Sequence, residues 1–295
     1  MTRRIRIPFL ADIILVDSAH GIRADADHEL LDRGYSPRGP LWNRIIAGRV
    51  RKALRVGNTP LPSAEMRGDS ERARKQAELA DRLDPATAPW NTDLIGSIAD
   101  YVRGGAGRPV EHLVQELVGR LFKPTYAAGK GTWRAARTLD GAIRSWNPVK
   151  RFLWLIGNAR VRAQNTLGEA SGNDLAAIHA TGIAVHNLVE SVDRLRSEWA
   201  NPVRRAGLTP EQAATRTMAG PARILRQAAA EGTALAGSLK PGTLVIFEVG
   251  RAAAHTLDSD LAVMSGSWSR CPAHELVPSL LAEIWRTAQA REASL

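Results

Sequence analysis

A chain of 295 residues, 44% hydrophobic and 24% charged, is long enough to bury a substantial core, which excludes disorder of the whole. Its single cysteine, Cys271, excludes an intrachain disulfide and a cysteine-based zinc site and suits a reducing cytoplasm. The formal net charge of +10 raises a nucleic-acid reading, but Lys and Arg are mixed with Asp and Glu along the chain and no finger or RNA-binding motif accompanies them. A solvated basic surface, or one that meets an acidic protein partner, fits the pattern better.

The opening MTRRIRIPFLADIILVDSAH has basic residues before an apolar run, yet Asp12 interrupts that run and Asp17 follows it. It is read as the first element of the mature fold rather than a signal. The longest uncharged stretch, Leu175 to Val189, is shorter than the roughly 20 residues that cross a bilayer, so a soluble, cytoplasmic protein is expected with no membrane partner.

Most of the chain has a helical pattern. GDSERARKQAELADRLD begins at Asp69 or Ser70, and NTDLIGSIADYVRGG starts near a Thr92 cap and stops at Gly104 and Gly105. In RPVEHLVQELVGRLFKP, residues Val110, Leu113, Val114, Leu117, Val118 and Leu121 form one apolar stripe that Pro124 ends. The longest candidate helix, 173–200, places Leu175, Ile178, Val185, Leu188, Val192 and Leu195 near one face. LTPEQAATR then offers a Thr209 cap, Pro210 in the first turn and Glu211 beside it. Strand character is expected only after that, in GTLVIFEV, behind the turn signal Lys240–Gly242. The expectation is one mainly helical domain, 1–295, with a small β-sheet late in the chain. Its parts are a helical 1–105, a central 106–210 and a C-terminal 211–295.

Cys271 follows a loop of small polar residues and precedes Pro272, which suits the start of a helix. A thiol at a helix N-terminus is favoured as thiolate, with Arg270 adding positive charge, and a thiolate is a soft metal ligand and a nucleophile. The plain alternative is a buried, inert thiol.

The residues around it resemble the cysteine loop of the cytochrome P-450 family of haem-thiolate enzymes, F-G-x-G-x-H/R-x-C-x-G/A. Met264 stands at the Phe position, Ser265 and Ser267 at the glycines, Ser269 at the basic position, Cys271 at the ligand and Ala273 at the small residue. Upstream, ATRTMAGPARILRQAAAEGTALAGSLKPGTLVIFEV is similar to the family's K-helix, Arg-bearing strand and hairpin. Arg216 matches the Arg of E-x-x-R, whose Glu position holds Ala213, and Arg226 matches the Arg that meets a haem propionate. Gly237, Pro241, Gly242, Thr243 and Val245 match the hairpin.

The long helix resembles the family's I-helix, which crosses the distal haem face, but Ala184 stands at the usual Thr and the acid–alcohol pair is missing. HATGIAVHN offers His179, Thr181, Gly182 and His186 instead. At uniform helical spacing 179, 182 and 186 share a face, Gly182 leaves room for a ligand, and either histidine can move protons near neutral pH. TWRAAR is similar to the C-helix motif W-x-x-x-R, with Trp133 and Arg137 on the haem side; GRLFKPTY, with Arg120, is a competing placement, and the two exclude each other.

The resemblance implies a compact, shortened cytochrome P-450-like fold holding haem b (iron protoporphyrin) by Cys271. Arg226, Arg216, Trp133, Arg137 and Ser269 are its cofactor-side candidates, and His179, Thr181 and His186 its catalytic ones. It implies a monooxygenase acting on a small or medium organic substrate, with an acidic ferredoxin or flavoprotein as electron donor. Peroxide use and a haem-dependent rearrangement are variants, and a non-catalytic haem-thiolate scaffold or a basic nucleic-acid-binding protein are the competing functions.

Overall fold

The computed structural model describes residues 2–62, 66–144 and 157–294. In chain order the first elements are β1 (Thr2–Ile7), β2 (Ala11–Val16), α1 (Ala19–Asp25), β3 (Leu31–Asp32), α2 (Leu41–Ala53), β4 (Arg55–Val56) and β5 (Thr59–Pro60). Helices follow: α3 (Arg72–Arg82), α4 (Thr92–Val102), α5 (Val110–Arg120), α6 (Lys130–Arg144), α7 (Ala159–Ser171) and α8 (Leu175–His179). A π turn, Ala180–Ala184, carries α8 into α9 (Val185–Trp199), which precedes α10 (Pro202–Gly207) and α11 (Pro210–Thr217). The rest is β6 (Ile224–Ala228), β7 (Gly232–Ala234), β8 (Gly237–Leu239), β9 (Leu244–Phe247), α12 (Val249–Thr256), α13 (Ser259–Val263) and α14 (Leu276–Ala293).

Where one domain was expected, the chain divides into two compact units, each woven from separate segments. The first draws on Met1–Lys75 and Gly220–Cys271, and the second on Gln76–Gly141, Asn158–Ala219 and Pro272–Leu295. The segments change over at Gly220 and directly after Cys271.

The first unit is built on a five-stranded sheet of order β1-β2-β9-β6-β3. β2 lies parallel to β9, with Ile13 opposite Leu244 and Val16 opposite Phe247, while the other pairs are antiparallel. The expectation of a sheet confined to the late chain is corrected here, because three of these strands lie in the first 32 residues. What hid β2 was Asp12, an acid inside an apolar run. The structure buries it and satisfies it: Arg4 grips it bidentately at 2.8 Å through Nε and Nη2, and the Thr243 hydroxyl donates to it at 2.8 Å. A buried carboxylate is tolerated when paired and hydrogen-bonded in this way. Gly242, at φ +88, lies so close to Arg38 and Gly39 that a Cβ would come within 2.5 Å of the Arg38 carbonyl oxygen, so the turn needs glycine on both counts.

The second unit is helical. Val110, Leu113, Val114 and Leu117 are buried, as the stripe on α5 predicts, and Trp285 of α14 meets Trp199 of α9 edge-on at 5.0 Å between ring centroids. α11 begins as expected, and its Thr209 cap is reciprocal: the Thr209 hydroxyl accepts from Gln212 N–H while the Gln212 side chain accepts from Thr209 N–H. Among the described residues no helix is long and apolar enough to cross a membrane.

Candidate functional site

In the first unit the cysteine loop is fixed by its own backbone. α13 ends at Met264, at φ 54, and Ser265 N–H returns to the Asp260 carbonyl at 3.0 Å. Ser267 and Arg270 N–H groups close two further turns at 2.9 Å each, and Cys271 N–H donates to Val263 at 2.9 Å. Cys271 is half-buried and in no disulfide. Pro272 does not itself open the following helix: residues 272–275 form turns and α14 begins at Leu276, where the resemblance to the cysteine loop and its following helix puts it. Its dipole is therefore displaced from the sulfur by five residues of chain.

Beside this loop stand three cations. Arg33, Arg72 and Arg226 lie 5.2, 4.6 and 5.4 Å from the ring centroid of Trp268, three residues before the cysteine. Arg72 also donates to the Trp268 carbonyl at 3.1 Å. Arg226 is 1% exposed, carried on the buried side of β6. Its Nη1 donates to its neighbour Leu225's carbonyl at 3.0 Å and its Nη2 to the Ser269 hydroxyl at 2.6 Å.

Ser269 in turn lies 3.0 Å from the Ser267 hydroxyl, which donates to Asp27 at 2.6 Å. Ser269, at the position where the resemblance expects a base, thus orients Arg226 through a chain of hydroxyls ending on a carboxylate. Arg226 and Ser269 are together as expected; Arg33, Arg72 and Trp268 are additions that the sequence did not reveal.

The charge is poorly compensated. Neither Arg33 nor Arg226 has an ion-pair partner among the described residues. Burial first, and the neighbouring Arg226 charge second, push the Arg33 guanidinium down to about 9. Burial likewise lowers Arg226, and it raises the Tyr35 hydroxyl, which donates to the Leu225 carbonyl at 3.0 Å. Two buried donors, Arg226 Nε and Trp268 Nε1, have no acceptor among the described residues. Unmet donors among crowded cations call for an anion with several oxygens.

The second unit holds the other candidates. Val185 N–H reaches back five residues to Ala180, which makes the π turn. The Thr181 carbonyl takes its bond from the buried Gln115 side chain at 3.0 Å, and that amide also donates to the Thr132 carbonyl at 3.1 Å. A π turn inserts one residue relative to an α-helix, so positions beyond it rotate by about 100°. His179 and His186 stand on opposite sides of that insertion, which breaks the single face expected at uniform spacing.

Three more candidates have contacts of their own within the second unit. The Thr181 hydroxyl, fully buried, is spent on the Ala177 carbonyl at 2.7 Å, so its proton is committed to the helix. Gly182 serves packing, not a ligand: a Cβ there would come 2.7 Å from Leu167 and 3.2 Å from Leu139. Arg216 faces Glu198 at 3.8 Å rather than a cofactor group, and Glu198 is shared with Arg204 at 2.7 Å. Glu198 is thus the carboxylate near Arg216, at a distance too long for a hydrogen bond.

Of the two C-helix placements, Arg120 is held by Glu116 at 2.6 Å and donates to the Tyr126 carbonyl at 3.3 Å. Trp133 and His186 meet at 4.7 Å between ring centroids, tilted by 43°, while Arg137 is exposed. Both histidines are half-buried. Among the described residues no group of three or more His, Cys, Asp or Glu is placed to hold a metal ion.

No protein-family model matches the chain, and no curated protein matches it. Solved structures do. The cytochrome P450 enzyme CxnD, of C–S bond formation in chuangxinmycin biosynthesis, aligns over 98% of this chain and 83% of its own with a TM-score of 0.62 and 14% identity. CYP175A1 of Thermus thermophilus aligns over 95% and 83%, with a TM-score of 0.57 and 13% identity. Cytochrome P450 CREJ, in complex with (4-ethylphenyl) dihydrogen phosphate, aligns over 98% and 86%, with a TM-score of 0.61 and 14% identity. The chain has a shortened and divergent form of the cytochrome P450 fold.

Proposed function

We propose that the chain is a haem-thiolate oxidoreductase of the cytochrome P450 type, with Cys271 as the iron's axial ligand and a small or medium organic substrate. The observation that carries this reading is Arg226: a fully buried guanidinium, crowded by Arg33 and Arg72, with an unmet Nε, on the strand next to a cysteine loop. The donor set fits the group. Haem carries two carboxylates, for which Arg226, Arg33, Arg72 and Trp268 Nε1 are donors, and an iron for which a thiolate is an anionic ligand. Bound there, haem would supply one-electron and oxygen chemistry at a thiolate-ligated iron.

The chain's own contribution is positioning and proton handling. Asp27, Ser267 and Ser269 hold Arg226 in one orientation, so the anion meets a fixed donor. His186, steadied by Trp133, and His179 are the candidates to move protons on the substrate side, because Thr181 is committed and Ala184 carries no hydroxyl. The basic surface suits an acidic ferredoxin or flavoprotein donor. Peroxide use or a haem-dependent rearrangement would need no such donor and accords with the missing acid–alcohol pair.

Ala184 and the committed Thr181 favour one second reading, a scaffold that binds haem without turnover. The test is the absorption spectrum of protein purified with haem supplied, reduced and exposed to carbon monoxide. A red-shifted Soret band that Cys271→Ala abolishes is expected, and its absence from the unmodified chain would overturn the reading. Single His179→Ala and His186→Ala substitutions then separate the two readings. Turnover lowered in either with the band intact supports catalysis, and no turnover in the unmodified protein under donor or peroxide supports the scaffold.

A further inference from the structure

The β1–β2 turn and the first turn of α2 bring apolar side chains to the surface in one place. Ile7, Phe9, Leu10, Leu41, Trp42 and Ile45 are all exposed, Phe9 to 93%. The two elements are tied: Leu41 N–H donates to the Phe9 carbonyl at 3.0 Å and Trp42 N–H to the Leu10 carbonyl at 2.8 Å. Scattered surface apolar residues need no explanation, but an aromatic cluster from two elements does.

Phe9 carries a second anomaly. Its φ is 59, in the left-handed region where a bulky side chain costs on the order of 1 kcal/mol and glycine costs nothing. Almost fully exposed, the ring contributes little packing in return. A turn shaped only by folding would hold Gly or Asn there.

The charge around the cluster indicates what covers it. Arg6, Arg38 and Arg44 surround these residues in sequence, and none of the three has an ion-pair partner among the described residues. Residues 33–62 contain Arg and Lys but no Asp or Glu. A second copy of the chain would set these cations against their own kind. An acidic, fluid apolar layer accepts both features at once, the rings below the headgroups and the guanidinium groups among them.

We propose that the β1–β2 turn and the start of α2 dock the protein on an anionic lipid surface. The attachment is peripheral, with Phe9 and Trp42 as the inserted groups and Arg6, Arg38 and Arg44 as the headgroup contacts.

The test is co-sedimentation of the full chain with phosphatidylcholine vesicles, with and without phosphatidylserine. Binding to the serine-containing vesicles that weakens as salt rises is expected. Phe9→Gly should lower partitioning about tenfold without lowering the melting temperature, because it removes backbone strain. Each of Arg6→Glu, Arg38→Glu and Arg44→Glu should lower it about fivefold. The proposal is overturned if neither vesicle binds, or if Phe9→Gly binds as well as the unmodified chain. It is equally overturned if, without lipid, the protein is a dimer that Phe9→Gly dissociates, which would assign the face to a second copy. None of these readings depends on haem.

Discussion

Two clusters of arginine, one in each unit, are built on opposite principles. In the second unit Arg108 and Arg120 share one buried carboxylate, Glu116, at 2.7 and 2.6 Å, and the Ala128 N–H donates to it as well. That cluster is complete: cations outside, an anion within, and every oxygen engaged. In the first unit Arg33, Arg72 and Arg226 converge on an indole ring, and Arg226 keeps an unmet donor. The contrast separates arginines whose charge a carboxylate answers within the fold from one whose Nε has no acceptor among the described residues. Counting ion pairs would miss the second kind.

The comparison can be broken most directly at Arg226. Arg226→Ala should weaken haem retention by about tenfold to a hundredfold, the worth of a charge-assisted hydrogen bond, while the melting temperature of the haem-free protein does not fall. Haem titration and calorimetry on the same preparations check both halves. A haem-free protein that melts markedly lower would make Arg226 a structural arginine after all.

Glu116→Gln is the counterpart, with the outcomes exchanged. Stability should fall by about 1 to 2 kcal/mol, because the flanking arginines are partly exposed and solvent screens them, and haem titration should not change. The pH dependence sharpens this. Against burial, which raises it, Arg108, the Ala128 N–H and Arg120 together hold the Glu116 carboxyl below its usual range. The folded state then binds the proton less readily than the unfolded chain. This stability is fully present above the unfolded carboxyl's pKa, about 4.3, and is lost as pH falls through the lower folded value. Glu116→Gln should flatten that acid limb in a urea-unfolding series.

The smallest effect is expected at a cap. Asp174 accepts from the N–H groups of Ala176 and Ala177 at the start of α8 and pairs with Arg82 at 2.7 Å. Asp174→Ala should cost about 1 kcal/mol, read as a small drop in melting temperature with no change in haem binding.

Local chemistry made parts of this molecule legible in the sequence. The reciprocal Thr209 cap, the stripe on α5 and the long helix of the second unit follow from spacings within a few residues. Arg226 and Cys271 were singled out through an ordered series of motifs, and the structure sets Arg226 against the loop that carries Cys271. What escaped depends on distance along the chain. Arg33 and Arg72 reach Trp268 across some two hundred residues, and among forty Lys and Arg a buried one has no mark of its own.

Asp12 looked like an interruption because its partners, Arg4 on β1 and Thr243 just before β9, come from the strands flanking β2, a pairing that the sequence does not display. The π turn broke the expected face of His179 and His186, since a single inserted residue leaves no compositional trace. Glu198 near Arg216 was missed because it lies on the preceding long helix, outside the motif.

The parallel pairing of β2 with β9 also bears on how the protein is made. Ile13 cannot meet Leu244 until more than two hundred further residues have left the ribosome. At ordinary rates of synthesis that delay is roughly ten to fifty seconds. Throughout it the strand Ala11–Val16, apolar apart from one acid, can pair with β1 along one edge but has no partner along the other, where β9 is to lie. Nascent chains of this protein should therefore depend on chaperones until translation is nearly complete.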